Sequence, residues 1–140
     1  MKCKYIVFIF VVLLINVLAC DRQVNQQGKR LYTTYCASCH MENGEGLRQI
    51  VPALTDKDYL HQHREEIPCM IREGVSGPMV IHGKKYDRQM PGLPELNNIA
   101  IHNIVNFVFQ SWGNDIVKMN LDELNRHLEE CPGEQDMKLK

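Results

Sequence analysis

The chain has 140 residues, with 16 Lys and Arg against 17 Asp and Glu, a formal charge of −1 at pH 7. That length suits one domain once a leader is removed. The balanced charge, without a basic patch, excludes nucleic acid as the expected partner.

The first residues set the compartment. Lys2 and Lys4 form a short basic start, an apolar run from Tyr5 to Ile15 follows, and Val17-Leu18-Ala19-Cys20 closes the segment. A basic start, an apolar core and a small residue before the cut make a secretory signal. The cysteine just after the cut makes it resemble a bacterial lipoprotein signal, with residues 1–19 as the signal peptide and Cys20 as the acylated residue. The alternative is an uncleaved anchor, but an apolar stretch of about 15 residues is short of the ~20 needed to span a bilayer. Several acyl chains on Cys20 would meet the requirement that stable anchoring take more than one chain. The expected location is therefore the membrane surface facing the periplasm, either the outer side of the cytoplasmic membrane or the inner face of the outer membrane. Residues 20–27 read as a lipid-anchored tether. Asp21 to Gln27 is polar and without apolar rhythm, and at ~3.5 Å per residue it reaches about 25 Å.

A first helix is predicted from about Gly28 to Cys39, with Leu31, Tyr32 and Tyr35 on its apolar side. It ends in Cys36-Ala37-Ser38-Cys39-His40. Two thiols at i and i+3 lie on one face of a helical turn, so both can reach the vinyl groups of one porphyrin, and the adjacent histidine falls under the iron. This spacing is the signature of covalent c-type haem attachment. Bare CxxC also serves redox dithiols and zinc. No strand precedes the motif as a thioredoxin-like reading requires, and zinc would need a fourth ligand beyond Cys36, Cys39 and His40.

Asn43-Gly44-Glu45-Gly46 carries turn chemistry, and Leu47 to Asp56 reads as irregular. A short helix is predicted over Pro68 to Glu73, with Pro68 at a tolerated first position and Gly74 as the stop. Met79 to Gln89 alternates around His82-Gly83 as a small hairpin, and Pro91 to Pro94 reads as loop. Ile101, Ile104, Val105 and Val108 recur at helical spacing over about Asn98 to Gln110, capped by Asn97. The last helix starts at Asn120, with Glu123 completing a capping box, an apolar stripe of Leu121, Leu124 and Leu128, and Pro132 as its stop. His61, His63, His82, His102 and His127 read as solvated surface residues.

Six cysteines are present. Cys3 leaves with the signal, Cys20 carries lipid, and Cys36 and Cys39 hold haem. Cys69 and Cys131 remain. In an oxidising space such a pair tends to bridge; the alternative is two buried free thiols.

The chain resembles class I, single-haem cytochromes c of respiratory chains and terminal oxidases over about Gly28 to Trp112. Gly28 and Tyr32 stand eight and four residues before Cys36, where the family carries a Gly and an aromatic at a helix crossing, and Phe107 matches the aromatic on the crossing helix. The resemblance makes Pro52 the residue whose carbonyl holds the His40 ring and Leu54 part of the haem wall. Gln89-Met90-Pro91-Gly92 resembles the family's ligand loop and makes Met90 the second axial ligand, with Met79 as its rival. Arg48, Tyr59, Tyr86 and Trp112 are candidates for bonds to the haem propionates, although packing roles suit each better.

The resemblance implies an all-α fold: a small cytochrome c fold of four to five helices around one covalent haem c, with a short hairpin before the methionine loop. It places the haem domain at 28–113 and leaves 114–140 as a helical extension without an assigned role. Iron with His and Met ligands has no open position, which suits an electron carrier rather than an enzyme. The expected partners are redox proteins, a dehydrogenase or reductase as donor and an oxidase or reductase as acceptor. Two other classes stand beside this one: a haem enzyme or gas or redox sensor with a labile sixth ligand, and a structural lipoprotein whose CxxCH is incidental.

Overall fold

The computed structural model describes residues 26–132, together with Tyr5. Cys20, the rest of the leader, the tether as far as residue 25, and residues 133–140 lie outside the described residues. The chain is helical over 26–35 (α1) and, after a turn at Cys36, over Ala37–His40 (α2). Then come α3 (Lys57–Gln62), α4 (Ile67–Glu73), β1 (Gly74–Val75), β2 (Met79–Ile81), β3 (Lys84–Tyr86), β4 (Met90–Pro91), α5 (Asn98–Gln110) and α6 (Leu121–Glu129). Among the described residues no helix is long and apolar enough to cross a membrane.

The crossing of α1 and α5 is set by side-chain size. A Cβ on Gly28 would stand 2.3 Å from the Asn103 carbonyl oxygen and 2.7 Å from Phe107 Cβ, so only glycine permits this approach. One turn on, Tyr32 is buried and its hydroxyl donates to the Met41 carbonyl at 2.6 Å. Its ring packs on Phe107 and Trp112, with centroids 5.3 and 5.2 Å away. Aromatic pairs at such separations add to the burial of their area.

Differences from the sequence reading have local causes. Gln26 and Gln27, expected in the tether, are already helical in α1, and both face solvent ahead of Gly28. Tyr35 is 39% exposed, since the α1 face that meets α5 passes through Tyr32. Helix α3 has no signature in the sequence. Its only buried residue is Leu60, so it has no apolar rhythm; Asp56 caps it by accepting from the Tyr59 N–H at 3.1 Å.

Helix α5 follows its pattern, with Asn97 capping through the Ala100 N–H and Ile101, Ile104, Val105, Val108 and Phe109 buried. The hairpin is β2 against β3, and its turn residues His82 (φ 47) and Gly83 (φ 76) both lie in the left-handed region, as a type I′ turn requires.

The extension beyond Trp112 is part of the core. Ile116, Met119, Leu124 and Leu128 are buried, while Leu121, expected in the stripe, is 37% exposed. The capping box of α6 is present. Asn106, buried on α5, accepts from the Met119 N–H at 2.8 Å and donates to its carbonyl at 2.9 Å. His102 Nε2 reaches the same carbonyl at 2.9 Å, so this histidine is a tie to the extension and not a solvated residue. Arg64 bonds to Glu123 and to the Val117 and Lys118 carbonyls, and holds the Glu123 carboxyl below the usual carboxylate range. A disulfide joins Cys69 on α4 to Cys131 just past α6.

Candidate haem site

Between α2, the loop after it, α3, α4, the hairpin and α5 lies a cleft that opens to solvent. Its walls are apolar: Val51 and Leu54 from the loop, Leu60 from α3, Met70 and Ile71 from α4, Ile104 and Val108 from α5.

Cys36, Cys39 and His40 enter the cleft together. The N–H groups of Cys39 and His40 both bond to the Cys36 carbonyl, at 3.1 and 2.9 Å, so the motif is itself one helical turn. Both thiols are free and half-buried. Burial pushes the Cys36 thiol up to about 11, and the neighbouring Cys39 adds to the rise. Met41, at φ 64, ends the turn and sends the chain into the loop.

His40 is 8% exposed. Its Nδ1 lies 3.1 Å from the Pro52 carbonyl oxygen. A carbonyl only accepts, so Nδ1 carries the proton and Nε2 keeps its lone pair for a metal. Burial lowers the His40 pKa, with the Pro52 bond acting the other way, which favours the neutral ligand form. Pro52 is presented by a tight loop. Gly46 N–H bonds to the His40 carbonyl at 3.0 Å, and a Cβ there (φ 67) would stand 2.6 Å from the Pro52 oxygen.

Met90 enters from a distant part of the chain. It lies in β4, opposite Val75 of β1, in a pairing the sequence did not reveal. The backbones meet closely: a Cβ on Gly74 would stand 2.5 Å from the Met90 carbonyl oxygen, and one on Gly92 would stand 2.6 Å from that of Arg72. Leu93 N–H bonds to the Ile71 carbonyl at 2.9 Å. The methionine loop is thus stitched to the end of α4 on both sides of Pro91. Met79, on β2, also lines the cleft. The His82 imidazole at the hairpin turn lies 2.9 Å from Asp56, the cap of α3, which ties the hairpin to the far rim.

Of the four side chains considered for propionates, Tyr59 and Tyr86 line the cleft and Arg48 and Trp112 do not. Burial pushes the Tyr59 hydroxyl up to about 12. Trp112 is committed to the aromatic cluster, with its ring 5.6 Å from Phe107. Arg88, to which no sequence signal pointed, reaches the cleft with Gln89 from the segment before Met90.

These residues fit an iron porphyrin: two thiols on one helical turn, an imidazole with its second nitrogen already satisfied, thioethers entering from another element, and apolar walls. Among the described residues no three His, Cys, Asp or Glu side chains form a group able to hold a bare metal ion.

A helical shell around an apolar cleft with CxxCH at its mouth defines a class I, single-haem c-type cytochrome. The sequence matches the cytochrome c family over residues 26–112, and the chain belongs to that family. Its members hold haem c covalently and act as haem-based electron carriers. The chain is similar to cytochrome c-552 of Thermus thermophilus, 28% identical over 90 residues that make up 61% of this chain and 68% of that one. It is equally similar to a second cytochrome c-552 of the same organism, where the match spans 60% of the relative.

Proposed function

We propose that this chain is a membrane-tethered carrier that moves one electron at a time between respiratory-chain proteins, through an iron ligated by His40 and Met90. Cys36 and Cys39 hold the haem. Bound haem supplies the one-electron Fe(III)/Fe(II) couple. The observation that carries the reading is that His40 and Met90, from distant parts of the chain, line one apolar cleft. His40 is fixed by the Pro52 carbonyl, and Met90 sits on a loop fixed to β1. With both positions filled there would be no place for a substrate on the metal, and the site would transfer electrons rather than activate a ligand. The proposed partners are a dehydrogenase or reductase as donor and an oxidase or reductase as acceptor.

The purified holoprotein tests this. It is expected to titrate as a single one-electron couple and, when reduced, to resist carbon monoxide. Stoichiometric carbon monoxide binding by the unmodified protein would favour instead the haem enzyme or sensor with a labile sixth ligand.

The proposed anchor is a lipid on Cys20 after removal of residues 1–19, with the haem domain facing the periplasm. Replacing Cys20 by Ser is expected to remove the lipid mass, so that membrane attachment weakens or depends on an uncleaved signal. Lipid mass that persists in that variant would refute acylation at this residue. The holoprotein spectrum should not change, because the cleft is lined by residues between Cys36 and Val108.

A further inference from the structure

The turn that follows α5 holds the loop that holds His40. Trp112 (φ 55) and Gly113 (φ 81) both adopt left-handed backbone, and the Asn114 N–H closes the turn on the Ser111 carbonyl at 3.0 Å. The reversal sends two side chains back onto the loop between α2 and α3. The Trp112 ring lies against Gly44, where a Cβ would be 2.7 Å from the indole. The Asn114 amide, 4% exposed, donates from Nδ2 to the Leu54 carbonyl and to the Val108 carbonyl, each at 2.8 Å. Two acceptors facing one amide atom fix that atom as the NH2 group. Gly44 and Leu54 are joined to each other, Leu54 N–H to Gly44 carbonyl at 2.7 Å. Leu54 is therefore held at both its backbone groups, two residues beyond the Pro52 carbonyl that holds the His40 ring.

We propose that Asn114 is a positioning residue for His40. It fixes the Leu54 carbonyl against the end of α5, and so keeps the Pro52 carbonyl within bonding distance of the His40 ring. This rests on His40 being the proximal ligand. A partner of the other ring nitrogen fixes the orientation of a ligating imidazole and raises its basicity. Losing Asn114 slackens that bond, weakens donation to the iron and favours the reduced state.

The test uses the full-length holoprotein with Asn114→Ala. Two effects are expected. Exchange of the His40 Nδ1 proton, followed by NMR in the reduced protein, should accelerate at least about tenfold. The reduction equilibrium should shift toward the reduced form by about threefold to tenfold, smaller than the 10–100-fold loss of metal affinity or activity that follows when a direct partner of a ligating histidine is removed. The Leu124 amide on α6 should keep its exchange rate. If the Leu124 amide accelerates by the same factor, or if neither the ring proton nor the potential moves, Asn114 serves stability alone and the proposal is overturned. Should the alanine variant fail to yield holoprotein, Asn114→Ser retains one short donor and carries the same two readouts with smaller shifts; the same outcomes decide it. His40→Ala separates the proposal from its premise. If that variant keeps the parent visible spectrum, the ligand assignment fails. If the spectrum changes while the Asn114 variants move nothing, only the positioning role fails.

Discussion

Met90→Ala is expected to leave haem covalently bound and to open the sixth position on the iron. Cys36, Cys39 and His40 lie on a different element from Met90, joined by the helical turn and the Pro52 bond, so attachment and the proximal side should persist. The β1–β4 pairing uses backbone groups, and it should hold the shortened side chain where the thioether was. The oxidised protein should lose its sulfur-to-iron charge-transfer band, and the reduced protein should bind carbon monoxide. Methionine ligation raises the potential, and axial ligands tune haem potentials over ≈0.8 V, so a fall on the order of a few hundred millivolts is expected. Met79 also reaches the cleft and supplies the control. If Met79→Ala produces these changes and Met90→Ala does not, the assignment is reversed.

Removing the Cys69–Cys131 bridge is expected to have the largest effect on stability. The bridge closes a loop across 62 residues, and a loop of that length restricts the unfolded chain by about 4 kcal/mol in the entropic account. The double variant Cys69→Ala, Cys131→Ala should therefore unfold at a temperature lower by roughly 15 °C, at a few degrees per kcal/mol for a domain this size. The loss should be felt first at α6. Arg64 to Glu123 and Asn106 to Met119 still hold its start, whereas its end at Leu128 relies on the bridge. Haem retention and Met90 ligation should survive, because Leu93 N–H to the Ile71 carbonyl and the β1–β4 pairing do not involve the extension. Thiol counting on denatured, unreduced holoprotein gives the direct check: no free thiol is expected, and two would refute the bridge. A changed Met90 spectrum in the double variant would show that α4 transmits the loss to the methionine loop.

The features legible in the sequence are those whose physics is local. The i, i+3 spacing of Cys36 and Cys39 is one helical turn wherever it occurs. Asn97 and Asn120 cap helices because their side chains reach an N–H three residues on. His82-Gly83 turns the hairpin because both positions accept left-handed backbone. The stripe from Ile101 to Val108 declares α5 by period alone, and the family resemblance added the reading of Gly28, Tyr32, Pro52 and Met90.

What the sequence could not show depends on which distant groups meet. Helix α3 buries only Leu60 and has no rhythm to read. His102 looks like a surface histidine until the Met119 carbonyl arrives from the extension. No pattern in the sequence ties Trp112 or Asn114 to Gly44 and Leu54, yet the turn between them directs both onto the loop that carries Pro52. Local signals thus determined the helices other than α3, the attachment motif and the haem-binding class, since capping, turn conformation and helical spacing act within a few residues. Only the tertiary structure decided that residues 115–132 belong to the core and that the His40 side is held from the end of α5. Both depend on hydrogen bonds and packing between residues about 13 to 60 positions apart, whose meeting no local pattern encodes.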